Sequence, residues 1–348
     1  MKVFALYGKE DMRPVELDVP PLGEQGLLLK VLACGVCGSD ARMYFHGPTP
    51  RYDLPIVLGH EFTGEVVDRG EEVEGYGIGD RVTVAPLVPC MRCAACSHGQ
   101  DNLCQEAKLF GVHLPGGFAE WVHVPGQMVQ VGGVVKLPTR ADHRAAALTE
   151  ILACCLHGLR QVGGVVGAIR ESPLSQVLIL GDGPVGLTFL QLARLMGAGR
   201  VVTAGHRPRR RELAAELGAD EALDGTAIEI STYAREHNFT PDLAIVAASS
   251  LEATADALSV VHSGATVLLF AGYLPGSTLP LSVNDVHYRE LHIHGSIDCT
   301  IRDFRQAAEL LPQLQMDKLI TASFPLGETV EAFRATREPD AVKVLVEP

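Results

Sequence analysis

Short apolar runs alternate with stretches of helical periodicity in the second half of the chain. Runs of four or five mainly apolar residues predict strands, because a strand buried on both faces shows no polar alternation. The stretches between them repeat apolar residues at the three- and four-residue steps of a helix that buries one face. The predicted strands are Val177–Leu180, Val201–Ala204, Leu243–Ala247 and Thr266–Phe270, and the predicted helices are Pro184–Met196, Arg209–Leu217 and Leu251–Val261. Such alternation predicts a parallel, doubly wound α/β sheet.

The pattern before residue 150 is different. Short β-like runs are separated by glycine and proline, which is typical of an irregular, mainly β domain. The predicted strands there are Lys2–Tyr7, Leu27–Ala33, Thr63–Asp68 and Asp80–Ala85. A helix is expected over Ala145–Leu159 and a loop over Gly163–Pro173, while the tail carries a helix, Ile301–Leu311, and a last strand, Lys343–Val346. Spacing alone does not show whether the C-terminal tail belongs to the first or the second domain.

Composition narrows the class of protein. A length of 348 residues favours two domains, and 47% hydrophobic with 20% charged residues is an ordinary globular composition. The net charge of −13 argues against a nucleic-acid surface, and no apolar run is long enough for a membrane span. The start is interrupted by Gly8-Lys9-Glu10-Asp11, so no signal peptide is expected. We therefore expect a cytoplasmic protein whose nine cysteines are reduced.

Four cysteines, Cys90, Cys93, Cys96 and Cys104, form the most specific motif of the chain. Steps of three residues are too short for unstrained disulfides among the first three, but four thiolates can converge on one tetrahedral Zn²⁺. Scattered structural cysteines or a single disulfide are the alternatives. A closed four-cysteine site does no chemistry, so this lobe, about residues 89–105, is predicted to be structural.

A glycine-rich turn, Gly181-Asp182-Gly183-Pro184-Val185-Gly186, stands between the first predicted strand and helix of the second half. In a dinucleotide-binding fold, Gly181 makes the tight turn, Gly183 admits the pyrophosphate, and Gly186 lets helix and strand pack closely. Pro184 suits the first turn of the helix, whose free N–H groups attract phosphate. A glycine turn without a ligand is the alternative.

The end of the second strand predicts the cofactor. NAD-binding folds usually carry an acidic residue there, but this chain has Gly205-His206-Arg207 followed by Pro208 and three more arginines, including Arg210. Arginines at a helix start oppose the helix dipole, and a 2′-phosphate would offset that repulsion. The sequence thus predicts NADP(H) over NAD(H), with Arg207 the best-placed partner. A solvated basic helix start is the alternative.

Two further motifs, Cys34-Gly35-Val36-Cys37-Gly38-Ser39-Asp40 and Gly59-His60-Glu61, precede the four-cysteine lobe. Together with the glycine-rich turn, in this order, they resemble the zinc-containing medium-chain alcohol and polyol dehydrogenases, close to the sorbitol and threonine dehydrogenases. The resemblance covers essentially the whole chain. It implies a GroES-like β-rich catalytic domain, residues 1–151 and 297–348, and a Rossmann domain, residues 152–296.

The resemblance also implies a catalytic zinc site. It places Cys37 and His60 as ligands, Glu61 as a ligand or near-ligand, and Glu150 as the carboxylate at the domain boundary. A catalytic zinc keeps one position open for water or substrate and polarises the C–O bond while hydride passes to or from the nicotinamide. Ser39 matches the hydroxyl that begins the family's proton relay, whereas Asp40 suits a helix cap.

The chain departs from the family pattern at two positions. Arg42 stands where many relatives have a relay histidine, and arginine stays protonated, so it cannot pass a proton on. Either the relay ends differently or Arg42 binds an anionic group. Ile151 replaces the proline that commonly follows the boundary glutamate, which weakens the case for Glu150 as a direct ligand.

The substrate is the least determined property. Tyr44 and His46-Gly47 suit a polyol, sugar or cyclitol, as in sorbitol-type relatives, and Arg51 could face an anionic group. A simple secondary alcohol or a 3-hydroxy amino acid such as threonine is the alternative within the same alcohol–ketone chemistry. A nucleotide-binding protein without activity is a further alternative, disfavoured by the intact ligand set. The resemblance suggests a homodimer or homotetramer joined at sheet edges near Thr266–Phe270.

Overall fold

The computed structural model describes residues 1–48, 52–172 and 175–348, apart from the side chain of Val165. The chain divides into two compact units, Met1–Ala153 with Cys299–Pro348, and Cys154–Asp298. The sequence places the corresponding boundaries at 151/152 and 296/297. The C-terminal tail, which spacing alone left unassigned, belongs to the first unit. No helix within the described ranges is both long and apolar enough to cross a membrane.

The first unit is built mainly from antiparallel strands. Its elements up to residue 146 are β1 (Lys2–Gly8), β2 (Asp11–Glu16), β3 (Leu27–Gly35), α1 (Gly38–His46), β4 (Ile56–Val57), β5 (Glu61–Arg69), β6 (Arg81–Val84), β7 (Leu87–Val88), α2 (Ala94–Ser97), β8 (Lys108–Leu109), β9 (Trp121–Val124), α3 (Gly126–Gln130), β10 (Val134–Lys136) and α4 (His143–Ala146). Strand β3 is central and pairs with both β5 and β9. Leu27, Leu29 and Val31 on β3 are almost fully buried, so the strand lies in the core of the unit.

The second unit is a doubly wound parallel sheet, and the predicted fold class is confirmed. Helix α5 (Thr149–Gln161) leads into α6 (Gly163–Glu171), β11 (Gln176–Leu180), α7 (Pro184–Met196), β12 (Arg200–Gly205), α8 (Pro208–Glu216), β13 (Glu221–Asp224), α9 (Ile230–Glu236), β14 (Leu243–Val246), α10 (Leu251–Val260), β15 (Thr266–Leu269), α11 (Val283–Tyr288) and β16 (His292–Gly295). The strand order is β13-β12-β11-β14-β15-β16, with every neighbouring pair parallel. The order reverses beside β11, where such folds bind dinucleotides.

The tail completes the sheet of the first unit. Its elements are α12 (Ile301–Leu310), β17 (Ile320–Pro325), α13 (Thr329–Ala335) and β18 (Lys343–Glu347). Strand β18 lies between β3 and β17, antiparallel to the former and parallel to the latter. The last residues of the chain therefore pair with a central strand from its beginning.

Of two predicted elements near the middle of the chain, the loop over Gly163–Pro173 is wrong and the helix over Ala145–Leu159 is confirmed with one break. The stretch Gly163–Glu171 is a helix rather than a loop, because burial of Ile169 and Val162 outweighs the poor helix propensity of its glycines. The predicted helix Ala145–Leu159 is broken after Ala146. Buried Thr149 starts the next helix there and donates its hydroxyl proton to the Ala146 carbonyl.

The predicted sheet edge is also wrong. Strand β15, which contains most of Thr266–Phe270, pairs with β14 on one side and β16 on the other. Its backbone groups are therefore already engaged, and the edge at this side of the sheet is β16.

Close packing at the glycine-rich turn yields a stability prediction. A Cβ atom at Gly186 would collide with the backbone carbonyl oxygen of Gly181, whereas a Cβ at Gly183 meets nothing within 4 Å. We expect Gly186→Ala to lower the free energy of unfolding by about 1–3 kcal/mol, as overpacking against rigid backbone does. Gly183→Ala is the matched control and should change it by less than about 1 kcal/mol. Denaturant unfolding measures both, and equal stability of the two variants would contradict this packing.

Candidate active site

Pairing of two strands brings the first motif residues together. Strands β3 and β5 are antiparallel, with Gly35 opposite Glu61, so the residues just after β3 meet those just before β5. One ligand atom each from Cys37, His60 and Glu61 lies within 4.8 Å of the others. Cys37 is the extended N-cap residue of α1, which holds its thiol at the strand–helix junction. A thiol, an imidazole and a carboxylate thus converge in one place.

Asp40 contributes more than the cap expected from the sequence. One carboxylate oxygen accepts the backbone N–H of Cys37 at 3.2 Å, and the other lies 3.5 Å from Nδ1 of His60. Burial alone would lower the pKa of His60, but the charges of Asp40 and Cys37 outweigh burial and raise it well above its ordinary value. The Asp40 carboxylate therefore fixes the ring orientation and directs Nε2 of His60 away from itself, as partners of metal-bound histidines do.

A buried lysine that sequence reasoning missed completes the cluster. Nζ of Lys343, on β18, forms an ion pair with Oε2 of Glu61 and donates to the carbonyl of Val36 at 3.1 Å. Burial would lower the pKa of Lys343, but the Glu61 carboxylate, followed by Cys37 and Glu150, raises it above its ordinary value. Both Lys343 and Glu61 are almost fully buried. Since no local motif marks Lys343, only the sheet topology reveals its role.

The donor set fits a zinc ion. Cysteine, histidine and carboxylate are all common zinc ligands, and a catalytic site needs three protein ligands with one open position. Among the described residues, Oε1 of Glu61 is buried without a hydrogen-bond partner while Oε2 faces Lys343. That carboxylate can supply a ligand atom without losing its ion pair.

The other predicted members of the site lie outside this group of three. Glu150 is half-buried near the start of α5, and its charge acts on Lys343, but it does not share the close grouping of ligand atoms. Ser39 and Arg42 are exposed on α1. Tyr44 is buried against Phe45 and Phe333, so it packs in the core and does not offer its ring to a substrate pocket. Arg51 lies outside the described residues.

The four-cysteine lobe forms a second cluster. Ligand atoms of Cys90, Cys93, Cys96 and Cys104 all lie within 4.8 Å of one another. The Sγ atoms of Cys93 and Cys96 are 3.5 Å apart, well beyond a disulfide bond, and the backbone N–H of Cys90 points to Sγ of Cys104 at 3.3 Å. Four thiols without an open position fit a structural zinc.

The glycine-rich turn borders a cavity of about 250 Å³ in the second unit. Gly183 is the extended N-cap residue of α7, and Pro184 occupies the first turn, as expected of a phosphate-binding helix start. Val185 and Gly186 follow within that turn, with Gly186 buried against Gly181. The cavity is lined by Gly181 and Asp182 after β11, by Gly205 and His206 at the end of β12, by Arg207 and Arg210 at the start of α8, and by Glu252 and Asp256 from α10. Its shape and position suit the adenosine half of a dinucleotide.

The arginines of α8 differ in their partners. Arg209 pairs with Glu212 at 2.8 Å, Arg210 with Asp182 at 3.7 Å and Arg211 with Asp224 at 3.0 Å. Arg207 is exposed at the helix N-cap, and its guanidinium has no ion pair among the described residues. Sequence reasoning missed Asp182 and Asp224 as partners, because they are distant from these arginines along the chain.

Comparison with known proteins agrees with this geometry. The alcohol dehydrogenase GroES-like domain family matches residues 23–138, and the zinc-binding dehydrogenase family matches residues 184–313. The chain is 32% identical to L-galactonate-5-dehydrogenase of Escherichia coli K12, over 96% of this chain and 94% of the relative. The chain therefore belongs to the zinc-containing medium-chain alcohol and polyol dehydrogenases, enzymes that use zinc and a nicotinamide cofactor.

Two solved structures share the whole fold. One, described as a zinc-binding dehydrogenase of Sinorhizobium meliloti 1021 and bound to NADP, has a TM-score of 0.90 and 33% identity, covering 100% of this chain and 99% of its own. The other, an alcohol dehydrogenase of Escherichia coli CFT073 with NADH, has a TM-score of 0.89 and 26% identity, with the same coverage. The shared fold thus accommodates either nicotinamide cofactor.

The two clusters predict the zinc content. We expect purified protein to contain two zinc ions per chain, one for each cluster. His60→Ala should retain about one and lose more than about a hundredfold in turnover, because a ligand is removed. Cys155→Ser, a buried cysteine in neither cluster, is the control and should retain two. Elemental analysis measures the content, and full zinc occupancy in His60→Ala would contradict the assignment.

Proposed function

We propose that this protein is a zinc-dependent dehydrogenase that exchanges hydride between NADP(H) and a secondary alcohol or ketone of a polyol, sugar or cyclitol. The convergence of Cys37, His60 and Glu61, with an unpartnered carboxylate oxygen among the described residues, is the observation that carries the proposal. A closed four-cysteine lobe elsewhere in the first unit leaves this cluster as the proposed place for chemistry.

In this proposal, Cys37 and His60 hold the catalytic zinc and Glu61 or Glu150 provides the carboxylate. A zinc ion held by these residues would supply Lewis acidity toward the substrate oxygen. Asp40 keeps the His60 ring oriented, and Lys343 keeps the Glu61 carboxylate anchored at Oε2. The exposed hydroxyl of Ser39, two residues after Cys37, accepts the alcohol proton as it gives its own proton to solvent, and Arg42 holds a fixed positive charge on the same helix without accepting a proton.

The preference for NADP(H) rests on the cavity beside Gly205. No carboxylate stands on the second strand's last residue to accept a ribose hydroxyl, and Arg207 is exposed at the cavity without an ion pair in the described parts of the chain. A 2′-phosphate would supply the missing anion and also suit the N-terminus of α8. The NADP-bound structural relative supports this choice.

The substrate class rests on two observations. His46 is exposed at the last turn of α1, beside Gly47, and can offer a polar group to a hydroxylated substrate. The relative L-galactonate-5-dehydrogenase is named for a polyhydroxylated acid. A polyol, sugar or cyclitol accounts for both better than a simple alcohol does.

We propose a homodimer or homotetramer, and the unpaired edge of the second sheet supports this proposal. Strand β16 pairs only with β15 among the described strands. The unpaired N–H and C=O groups of its other side can pair with a strand of another chain. Large apolar side chains are exposed close to it in sequence, namely Val283, Tyr288 and Ile297. We propose this edge as the place where two copies join.

A substrate panel tests the proposed function. Polyols, cyclitols, sugar acids, threonine and simple secondary alcohols are compared by nicotinamide absorbance, with His60→Ala protein as the inactive control. We expect kcat/KM for the best polyhydroxylated substrate to exceed that for simple secondary alcohols by at least about tenfold, because hydroxyl-binding groups reject substrates lacking hydroxyls. Highest kcat/KM for threonine or a simple alcohol would contradict the substrate class.

Cofactor choice is tested at Arg207. We expect Arg207→Ala to weaken NADPH binding by about tenfold, the loss of one charge-assisted contact, and to leave NADH binding within about twofold of wild type. Arg209→Ala is the matched control, since that arginine lies on the same turn but is paired with Glu212. Fluorescence titration of the reduced cofactors gives both constants. Equal weakening for the two cofactors would show that Arg207 does not contact the 2′-phosphate.

A further inference from the structure

The carboxylate of Asp182 occupies the place where a side chain at the end of the second strand would begin. A Cβ atom at Gly205, the last residue of β12, would collide with Cβ, Cγ and Oδ2 of Asp182. In NAD-binding folds an acidic residue at that strand end accepts the ribose 2′-hydroxyl. Here the glycine at 205 leaves room for an acid contributed by the glycine-rich turn instead.

Asp182 is also tied to the start of α8. Its Oδ2 accepts the backbone N–H of Arg207 at 2.9 Å, and its Oδ1 lies 3.7 Å from Nη1 of Arg210. The side chains of Asp182 and Arg210 are 11% and 19% exposed, so water screens their attraction only partly. The carboxylate thus fixes the backbone that carries Arg207 and attracts one of the two arginines that line the cavity.

This arrangement has opposite consequences for the two cofactors. A 2′-phosphate entering the cavity meets the negative charge of Asp182 and competes with it for Arg210. A 2′-hydroxyl meets the same carboxylate as a hydrogen-bond acceptor. Glu252 and Asp256 also line the cavity, but they come from α10 rather than from the glycine-rich turn.

We infer that Asp182 is a specificity-determining residue that limits the preference for NADP(H), because it holds Arg210 and keeps a carboxylate beside Gly205. This inference rests on the proposed NADP(H) preference and adds that NADH remains a competent ligand. Arg207 attracts the 2′-phosphate of NADP(H), and Asp182 determines how strongly the protein prefers NADP(H) over NAD(H).

The test measures binding rather than turnover. Purified wild type, Asp182→Asn and Glu252→Gln are titrated with NADPH and NADH by nicotinamide fluorescence. Asparagine keeps the size of the side chain and can still accept the Arg207 N–H, but it releases Arg210. We expect Asp182→Asn to raise the ratio of NADPH to NADH affinity by about fivefold to tenfold. Glu252→Gln, which removes a charge that α10 contributes to the cavity lining, should change that ratio by less than about twofold.

A double variant distinguishes the release of Arg210 from the loss of the Asp182 charge alone. In Arg210→Gln protein, Asp182→Asn should gain less than half of that increase, since no arginine remains to be released. An unchanged ratio in Asp182→Asn, or an equal rise in Glu252→Gln, would overturn the inference. Thermal unfolding checks that each variant is folded, and Asp182→Ser replaces the asparagine variant if that one is not.

The two proposals fail in distinguishable ways. Tighter binding of NADH than NADPH by wild-type protein would refute the NADP(H) preference. The change produced by Asp182→Asn, measured relative to wild type, still decides the role of Asp182 in that case.

Discussion

The buried ion pair between Lys343 and Glu61 is the constraint on which the cluster of Cys37, His60 and Glu61 depends. It joins the last strand of the chain to the strand that follows His60, and Lys343 also donates to Val36, just before Cys37. Removing one partner of such a pair leaves a buried charge uncompensated and typically costs about 3–5 kcal/mol. The cluster therefore requires the C-terminal strand to be in place in the first unit's sheet.

Asp40 and Lys343 each support a different proposed metal ligand. Asp40 acts on His60 from α1, and Lys343 acts on Glu61 from β18, so each proposed metal ligand with a polar side chain has its own support. Asp40 and Lys343 hold the side chains of His60 and Glu61 in position and are not proposed to take part in the chemistry. In the second unit, Asp182 plays a comparable part for the arginines of α8.

Sequence reasoning predicts those features that short motifs specify. The four-cysteine lobe and the turn from Gly181 to Gly186 depend on local spacing, and the parallel sheet follows from continuous apolar runs. Cys37 and His60 follow from the resemblance of their motifs to a known family. Lys343 and Asp182 could not be found in this way, because their partners are distant in the chain. Lys343 meets Val36 across 307 positions, and Asp182 meets Arg207 across 25. Helix α6 was missed because burial of Ile169, a tertiary effect, overrides the glycines that suggest a loop.

The proposed function requires a metal ion with an open position where β3 and β5 bring Cys37, His60 and Glu61 together. Anomalous X-ray diffraction measured on both sides of the zinc absorption edge locates such an ion without reference to activity. We expect one peak within bonding distance of Cys37 Sγ and His60, and a second among the four cysteines from Cys90 to Cys104. A single peak, confined to the four-cysteine lobe in fully active protein, would contradict it.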